Sequence, residues 1–389
     1  MSEIKVNSIK GVGASAAAIT VNNTDGTCTA NLTNRTNKNL IIGGAMNVAQ
    51  RGTSSTSAGY QTVDRFGITA SGTDEAPTQA QVDVASGTTP YTLGFRKALK
   101  ITNGNQTSGA GATDRINIYH TVEAQNIANS GWNYTSSSSY ITLSFWVKSS
   151  VAQNFYGRLY SFDGTSQGYS FETGSLSADT WTKVTKTIAG NSNLTFDNDN
   201  AAGLYVVIAP FLGTDYTDSG VSLNTWGAWN SSARTPDNTS TWYTTNDATF
   251  EITGVQLEVG SVATDFEHRS FAVEKRLCMR YYQQYVNLMG AGIVPDNSSR
   301  SYNHGFNFPV EFRATPSMTT TNTGSNGGQI VTDGSTNASV SSLLSSLMNT
   351  ESVHFDFNLS TDLVNYRPAM IGQPQSSTYN TTYKISAEL

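Results

Sequence analysis

The chain has 389 residues, a net charge of −6 and a sequence pI near 5.2, with only 13% charged residues against about 25% in an average globular domain. Its length supports two or three domains with a substantial core. The acidic balance and the lack of any Lys/Arg run exclude nucleic-acid binding by phosphate neutralisation; the densest basic spot is Lys275-Arg276 with Arg280.

Residues 1–38 open on the polar segment MSEIKVNSIKG, without the apolar core of a secretory signal. Short alternating runs follow, Ile4 and Val6, then Ile19 and Val21, broken by Gly11, Gly13 and Gly26. Runs of that length bury no core alone, so this part is read as an anchor or stem held by sister chains or another protein. Residues 39–69 read NLIIGGAMNVAQRGTSSTSAGYQTVDRFGIT. Within them Asp64-Arg65 is expected to form a buried hydrogen-bonded pair that fixes a sandwich edge.

From 90 to 267 short strand-like runs recur at even spacing: 91–101, 115–122, 141–148, 155–162, 182–188, 204–209 and 250–259. Gly, Ser, Asn and Asp clusters separate them, the signature of a β-sandwich. Leu143, Phe145 and Val147 share one face of their run. Two stretches lack alternation yet hold large aromatics: Trp132 and Tyr134 in NSGWNYTSSSS, and Trp226, Trp229, Trp242 and Tyr243 within 213–249. An aromatic in a polar loop either stacks on the apolar face of a sugar ring or buries itself as a loop anchor. These six are the candidate glycan-binding residues.

Residues 250–285 change period. Phe250, Ile252, Val255, Leu257 and Val259 alternate as a strand; Phe271, Glu274, Leu277, Cys278, Tyr281, Tyr282 and Tyr285 then fall at helical spacing. This predicts a helix after the sandwich, with Tyr281, Tyr282 and Tyr285 either packing across a subunit interface or filling an intrachain core. Beyond it, 302–308 alternates, 339–348 (SVSSLLSSLM) has Val340, Leu343, Leu344 and Leu347 at helical spacing, and strands at 353–359 and 383–385 close the chain. The expected division is an anchor (1–38), a sandwich (39–268) and a helix with a smaller, mostly β tip (269–389).

Catalytic signatures are missing. His120, His268, His304 and His354 stand in no metalloprotease pattern, and there is no nucleophile elbow or phosphate loop. Cys28 and Cys278 form neither a disulfide framework nor a zinc site and are expected as reduced thiols. Asp197-Asn198-Asp199-Asn200 is dense in oxygen but lacks the Gly and Glu of a calcium loop, so an Asx turn is expected there. No apolar run is long enough for a membrane helix. No enzyme activity, cofactor, metal or membrane insertion is expected.

Two stretches carry a family resemblance. VQLEVGSVATDFEHRS, followed by a Glu- and Tyr-rich segment, resembles the end of the jelly-roll domain in many bacteriophage tail-fibre and related virion proteins. NLIIGGAMNVAQRG with Tyr60, Asp64, Arg65 and Phe66 resembles its beginning; Gly43 stands where the family usually has Asn, and Phe66 where it has Trp. FPVEFRATPSM and the final SAEL are similar to later parts of the same proteins, and DTWTKVTKTI, with Trp181, to carbohydrate-binding jelly rolls. The resemblance implies an all-β, jelly-roll virion fibre subunit, assembled in the host cytoplasm. It would be a homotrimer joined to other virion proteins through its N-terminus, binding host-surface glycans during adsorption. A head-decoration or tail structural protein without a receptor role, and a glycan-degrading tail enzyme, are the alternatives.

Overall fold

Period-2 alternation turns most of the chain into antiparallel strands in the computed structural model, which describes residues 8–9, 19–21, 28–30, 37–286, 290–295, 299–323, 330–332, 337–372 and 380–389. Near the N-terminus β1 (Ser8–Ile9), β2 (Ile19–Val21) and β3 (Cys28–Ala30) form a small sheet. Ile4, Val6, Gly11, Gly13 and Gly26 lie outside the described residues.

The sandwich follows as β4 (Ser54–Ser55), β5 (Gly67–Ser71), β6 (Thr78–Asp83), β7 (Lys97–Thr102), β8 (Arg115–Glu123), β9 (Tyr140–Ser149), β10 (Asn154–Ser161), β11 (Gln167–Ser175), β12 (Thr182–Ala189), β13 (Ala202–Leu212), β14 (Trp226–Ala228) and β15 (Thr249–Val259). Three single helical turns, α1 (Thr89–Thr92), α2 (Ala124–Ala128) and α3 (Thr241–Thr244), punctuate it. One six-stranded sheet has the order β5-β8-β13-β10-β11-β14, the other β4-β6-β7-β15-β9-β12. Alternate residues of both, among them Leu143, Phe145 and Val147 facing Phe155, Leu159, Leu204 and Val206, fill one core. Each such buried side chain contributes about 1.5–3 kcal/mol. The fold is an all-β jelly-roll sandwich.

The segment before β4 is sewn into this sandwich at the bulge of β15, where pairing with β9 shifts between Thr253 and Gln256. The Asn39 side chain accepts from the Leu257 amide at 3.0 Å and donates to the Val255 carbonyl at 3.1 Å. Gly44 fits because a Cβ there would sit 2.1 Å from the Val255 carbonyl oxygen. Gly43 has φ +79°, a left-handed conformation that Gly and Asn tolerate best; this accounts for the exchange between them at that position.

Helix α4 (Phe271–Met279) starts at Ser270, whose hydroxyl accepts from the Val273 amide at 3.4 Å. It is shorter than the helical spacing predicts. After Arg280 the chain straightens into β16 (Tyr282–Val286), which pairs with β24 (Asn380–Ser386), itself flanked by β19 (Ser317–Thr323). The strands β17 (Gly290–Ile293), β18 (Arg300–Asn307), β20 (Ile330–Thr332), β21 (Asn337–Met348), β22 (Ser352–Leu359) and β23 (Pro368–Gly372) close a barrel. Val294, Phe312, Phe355, Phe357, Tyr383 and Ile385 are in its core cluster.

The helix expected over 339–348 is instead part of strand β21. Its pairing with β22 is bulged between Val340 and Ser342 and again between Leu343 and Ser345. Each bulge adds a residue and resets the alternation, so a bulged strand can carry three- and four-residue apolar spacings; Leu347, at the end of the run, is 72% exposed. The side chains of Leu343, Leu344 and His304 lie outside what is described.

Arg65 does not pair with Asp64, although both are buried. The Asp64 carboxylate accepts from the Gln50 amide at 3.0 Å. Arg65 reaches Glu388 instead, donates to the Thr121 carbonyl at 2.6 Å and stacks on Tyr281 with its guanidinium carbon 3.5 Å from the ring centre. Arg51 holds the same Glu388 carboxylate at 2.9 Å and stacks on Tyr282 at 3.6 Å. Behind them Glu123, fully buried, takes a two-pronged bond from Arg280 at 2.9 and 3.0 Å and a third from the Tyr281 hydroxyl. Tyr281 and Tyr282 are therefore filled within the chain and offer no subunit interface. Tyr285, half-buried, packs edge-on against Phe306 at 4.8 Å.

Removing one partner from such a site strands a buried charge. Glu388→Gln is expected to lower the unfolding free energy by about 3–5 kcal/mol, measured by urea denaturation; a loss below 1 kcal/mol would show that the knot is not stabilising. Burial raises the Glu123 carboxyl, but the bonds from Arg280 and Tyr281 more than offset this and hold it below 4.5. Its stabilisation is thus present above that value and lost as pH falls through the lower, folded one. Glu123→Gln should destabilise the protein at neutral pH, with the gap to the parent closing in melts below about pH 4.

Candidate functional site

On β8, β10 and β13 several positions facing away from the core hold aromatic and cationic groups rather than Ser or Thr. Tyr160 on β10 sits opposite Tyr205 on β13, and Tyr205 opposite Thr121 on β8. Tyr119, two residues back from Thr121, reaches Tyr205 at 5.2 Å between ring centres and Tyr60 at 5.2 Å on its other side. Phe162 bridges Tyr205 at 5.8 Å and Tyr160 at 4.8 Å, and Trp229, in the loop after β14, lies 4.4 Å from Tyr160. Six rings thus run in contact across the open face of one sheet.

Two glycines make room for them. A Cβ on Gly67 would fall 2.2 Å from the Tyr119 ring, and one on Gly168 would fall 3.0 Å from the Trp229 ring. The Trp229 amide donates to the Ser166 carbonyl at 2.9 Å, fixing the loop over the strand. Five of the six rings, Tyr119, Tyr160, Phe162, Tyr205 and Trp229, line a groove of about 430 Å³, whose walls also include Thr69, Arg158, Ser231, Arg234 and Leu389. Burial pushes the Tyr119 and Tyr205 hydroxyls up, keeping both neutral. Burial, together with the neighbouring Arg234 and Arg115, pulls Arg158 down to about 9, so it stays a cation at neutral pH.

A row of half-buried rings, with Phe162 exposed, beside hydroxyls and guanidinium donors suits a ligand with apolar faces and polar edges. Among the groove's walls there is no Asp or Glu.

Of the six aromatics chosen from the sequence, Trp229 lies in this groove. Trp226 turns inward from β14, donating its indole N–H to the Ala189 carbonyl at 2.8 Å and packing on Tyr169. Trp242 and Tyr243 are 0% exposed: the Trp242 indole bonds the Thr249 carbonyl at 3.0 Å, and Tyr243 stacks on Phe211 at 4.2 Å. Trp132 is buried, its indole N–H donating to the Ser139 carbonyl, and Tyr134 packs edge-on against Phe196. These loop aromatics anchor their loops to the core, because a large ring gains more by burial than by exposure. The Asp197–Asn200 stretch forms a turn in which Asp199 accepts from the Ala201 amide at 3.0 Å.

Tyr119, Tyr160, Phe162, Tyr205, Arg158 and Arg234 escape a search confined to loops. Five of them lie on or just beyond strands, and their signal is an alternation whose outward positions are Arg and Tyr, as in the RLYSF run at 158–162.

No protein-family model matches the chain, and no curated protein does. Among solved structures it is similar to the enzymatically active domain of tailspike protein 4 of bacteriophage CBA120, at 10% identity and a TM-score of 0.30, over 57% of this chain and 21% of that one. It is similar to a putative sugar-binding protein from Bacteroides thetaiotaomicron at 12% identity and a TM-score of 0.30, over 57% of this chain and 100% of that one. A family 11 carbohydrate-binding module from Clostridium thermocellum aligns at 10% identity and a TM-score of 0.25, over 56% of this chain and 98% of the module.

Trp242→Ala should cost about 3–5 kcal/mol by leaving a cavity, whereas Trp229→Ala, at the groove, should change stability by less than about 1 kcal/mol. Thermal melts of the two variants check this division; equal losses would place Trp229 in the core as well.

Proposed function

We propose that this chain is a bacteriophage tail-fibre or related virion fibre subunit whose sandwich binds host-surface glycans along the aromatic groove during adsorption. The run of five aromatic rings along the groove carries the reading. Pyranose rings present C–H faces that stack on such rings, while Arg158, Arg234, Thr69 and Ser231 offer hydrogen bonds to sugar substituents. The virion role rests on the resemblance of residues 39–66 and 255–270 to fibre proteins. On this reading residues 1–38 join other virion proteins and the subunit works as a homotrimer. Three modest groove affinities then combine through avidity rather than through one tight pocket. Hydrolysis of a glycosidic bond usually takes two facing carboxylates, and a groove walled by Arg, Thr and Ser favours binding over cleavage.

Adsorption of the purified protein to host cells tests this, with immobilised surface polysaccharide as a second format. Trp229→Ala and Tyr205→Ala should each weaken monovalent binding about tenfold, while Trp181→Ala on the opposite sheet should not. Undiminished adsorption by both groove variants would move the receptor site elsewhere. No binding at all by the folded protein would favour a purely structural role in the particle.

A further inference from the structure

Several buried or half-buried arginines of this protein follow a rule that the groove breaks. Arg65 and Arg51 share Glu388, Arg269 pairs with Glu267, and Arg280 pairs with Glu123. Arg158, at 4% exposure, is buried like Arg65, whereas Arg51, Arg269 and Arg280 are partly exposed, yet among the described residues neither Arg158 nor its neighbours Arg115 and Arg234 forms an ion pair. The Arg158 Nε and Nη1 and the Arg115 Nε are enclosed without any hydrogen-bond acceptor; Arg51, Arg65 and Arg269 each leave one such nitrogen as well, but those side chains also hold a carboxylate. Arg234 uses only its Nε, on the Ser231 carbonyl at 2.7 Å. Its guanidinium carbon lies 4.3 Å from the Tyr216 ring centre, that of Arg115 5.1 Å from the same ring, and those of Arg158 and Arg234 5.8 and 5.9 Å from Trp229.

Three like charges gathered around two aromatic rings, with no Asp or Glu among the described walls and the Leu389 carboxylate forming no ion pair with them, repel one another in the free protein. Ring faces offset part of this through cation–π attraction, but an enclosed guanidinium without an acceptor still loses its hydration. Such an arrangement persists most readily where something supplies the missing anion. Arg158 and Arg234 both wall the groove, at the end floored by Trp229 and Tyr160, so the anion has a route in.

The geometry points to an anionic saccharide as the ligand: a sugar ring stacked on Trp229 and Tyr160, with its carboxylate or sulfate accepting from Arg158 and Arg234. Guanidinium forks match either group with paired N–H donors. Arg115 adds long-range attraction from behind. This inference rests on the groove being the glycan site and specifies what the groove selects.

Matched ligand pairs test it, in calorimetric titrations at low salt: oligogalacturonate against its fully methyl-esterified form for the carboxylate, and dextran sulfate against dextran for the sulfate. The acidic member of at least one pair should bind about 10- to 100-fold more tightly than its neutral partner. Arg158→Gln should abolish that preference, weakening the acidic member far more than its neutral partner, and Arg158→Lys should retain part of it. Trp229→Ala should weaken acidic and neutral ligands alike. The free Arg158→Gln protein should melt no lower than the parent, because an uncompensated charge is gone; a structural arginine would give a lower melting temperature.

Equal binding of acidic and neutral partners, sensitive to Trp229→Ala, would overturn the anion selection and leave the groove as a glycan site. Preference surviving in Arg158→Gln would overturn the role of this cluster. Binding by none of the four ligands at millimolar sugar would overturn the groove reading and this inference with it.

Discussion

One carboxylate holds the molecule together. Glu388 takes Arg65 and Arg51 at once, and these arginines lie flat on Tyr281 and Tyr282. Four segments distant in sequence meet there: the stretch leading into the sandwich, the end of β8 through Thr121, the turn after α4, and the return strand of the tip. Low overall charge makes this concentration notable. With 13% charged residues, the chain keeps several of its ion pairs where water is excluded and screening by salt is weak. Little of the chain's cohesion therefore rests on exposed pairs that salt would weaken.

The same knot explains why the family-like motifs are motifs. Asn39 brackets β15, Gly44 leaves room for the Val255 carbonyl, Gln50 covers Asp64, and Arg51 and Arg65 reach the final residues. Asn39 and Gly44 act within the sandwich, while Gln50, Arg51 and Arg65 bond the C-terminal part through Tyr282 and Glu388. The groove residues lie on the opposite, outward face of the β5-to-β14 sheet, so core-forming and groove-lining residues alternate along the same strands, separated by the pleat.

Much of the fold was legible because alternation with a period of two is a direct consequence of burying one face of a strand. Leu143, Phe145 and Val147, or Phe250 and Ile252, read as core and are core. Legibility failed where the period was disturbed. Bulges gave β21 a helical spacing, and the Tyr281–Tyr285 run continued the phase of α4 although the chain had already turned into β16. The site was half visible. Trp229 stood out as a loop aromatic, but Trp242 and Tyr243 stood out equally and are buried. Composition cannot separate a ring that anchors a loop from a ring that awaits a ligand. The strand residues Tyr119, Tyr160 and Tyr205 were hidden because an outward Tyr reads as ordinary strand filling until the neighbouring strands are aligned.

The bond between Arg65 and Glu388 spans 323 residues of sequence. During synthesis, then, the sandwich strands are all made long before the counter-charge that completes their packing. A nascent chain halted within the tip would carry an enclosed, unneutralised Arg65 and an uncovered Tyr281. The packing around Arg65 is therefore completed only when the distant Glu388 carboxylate arrives.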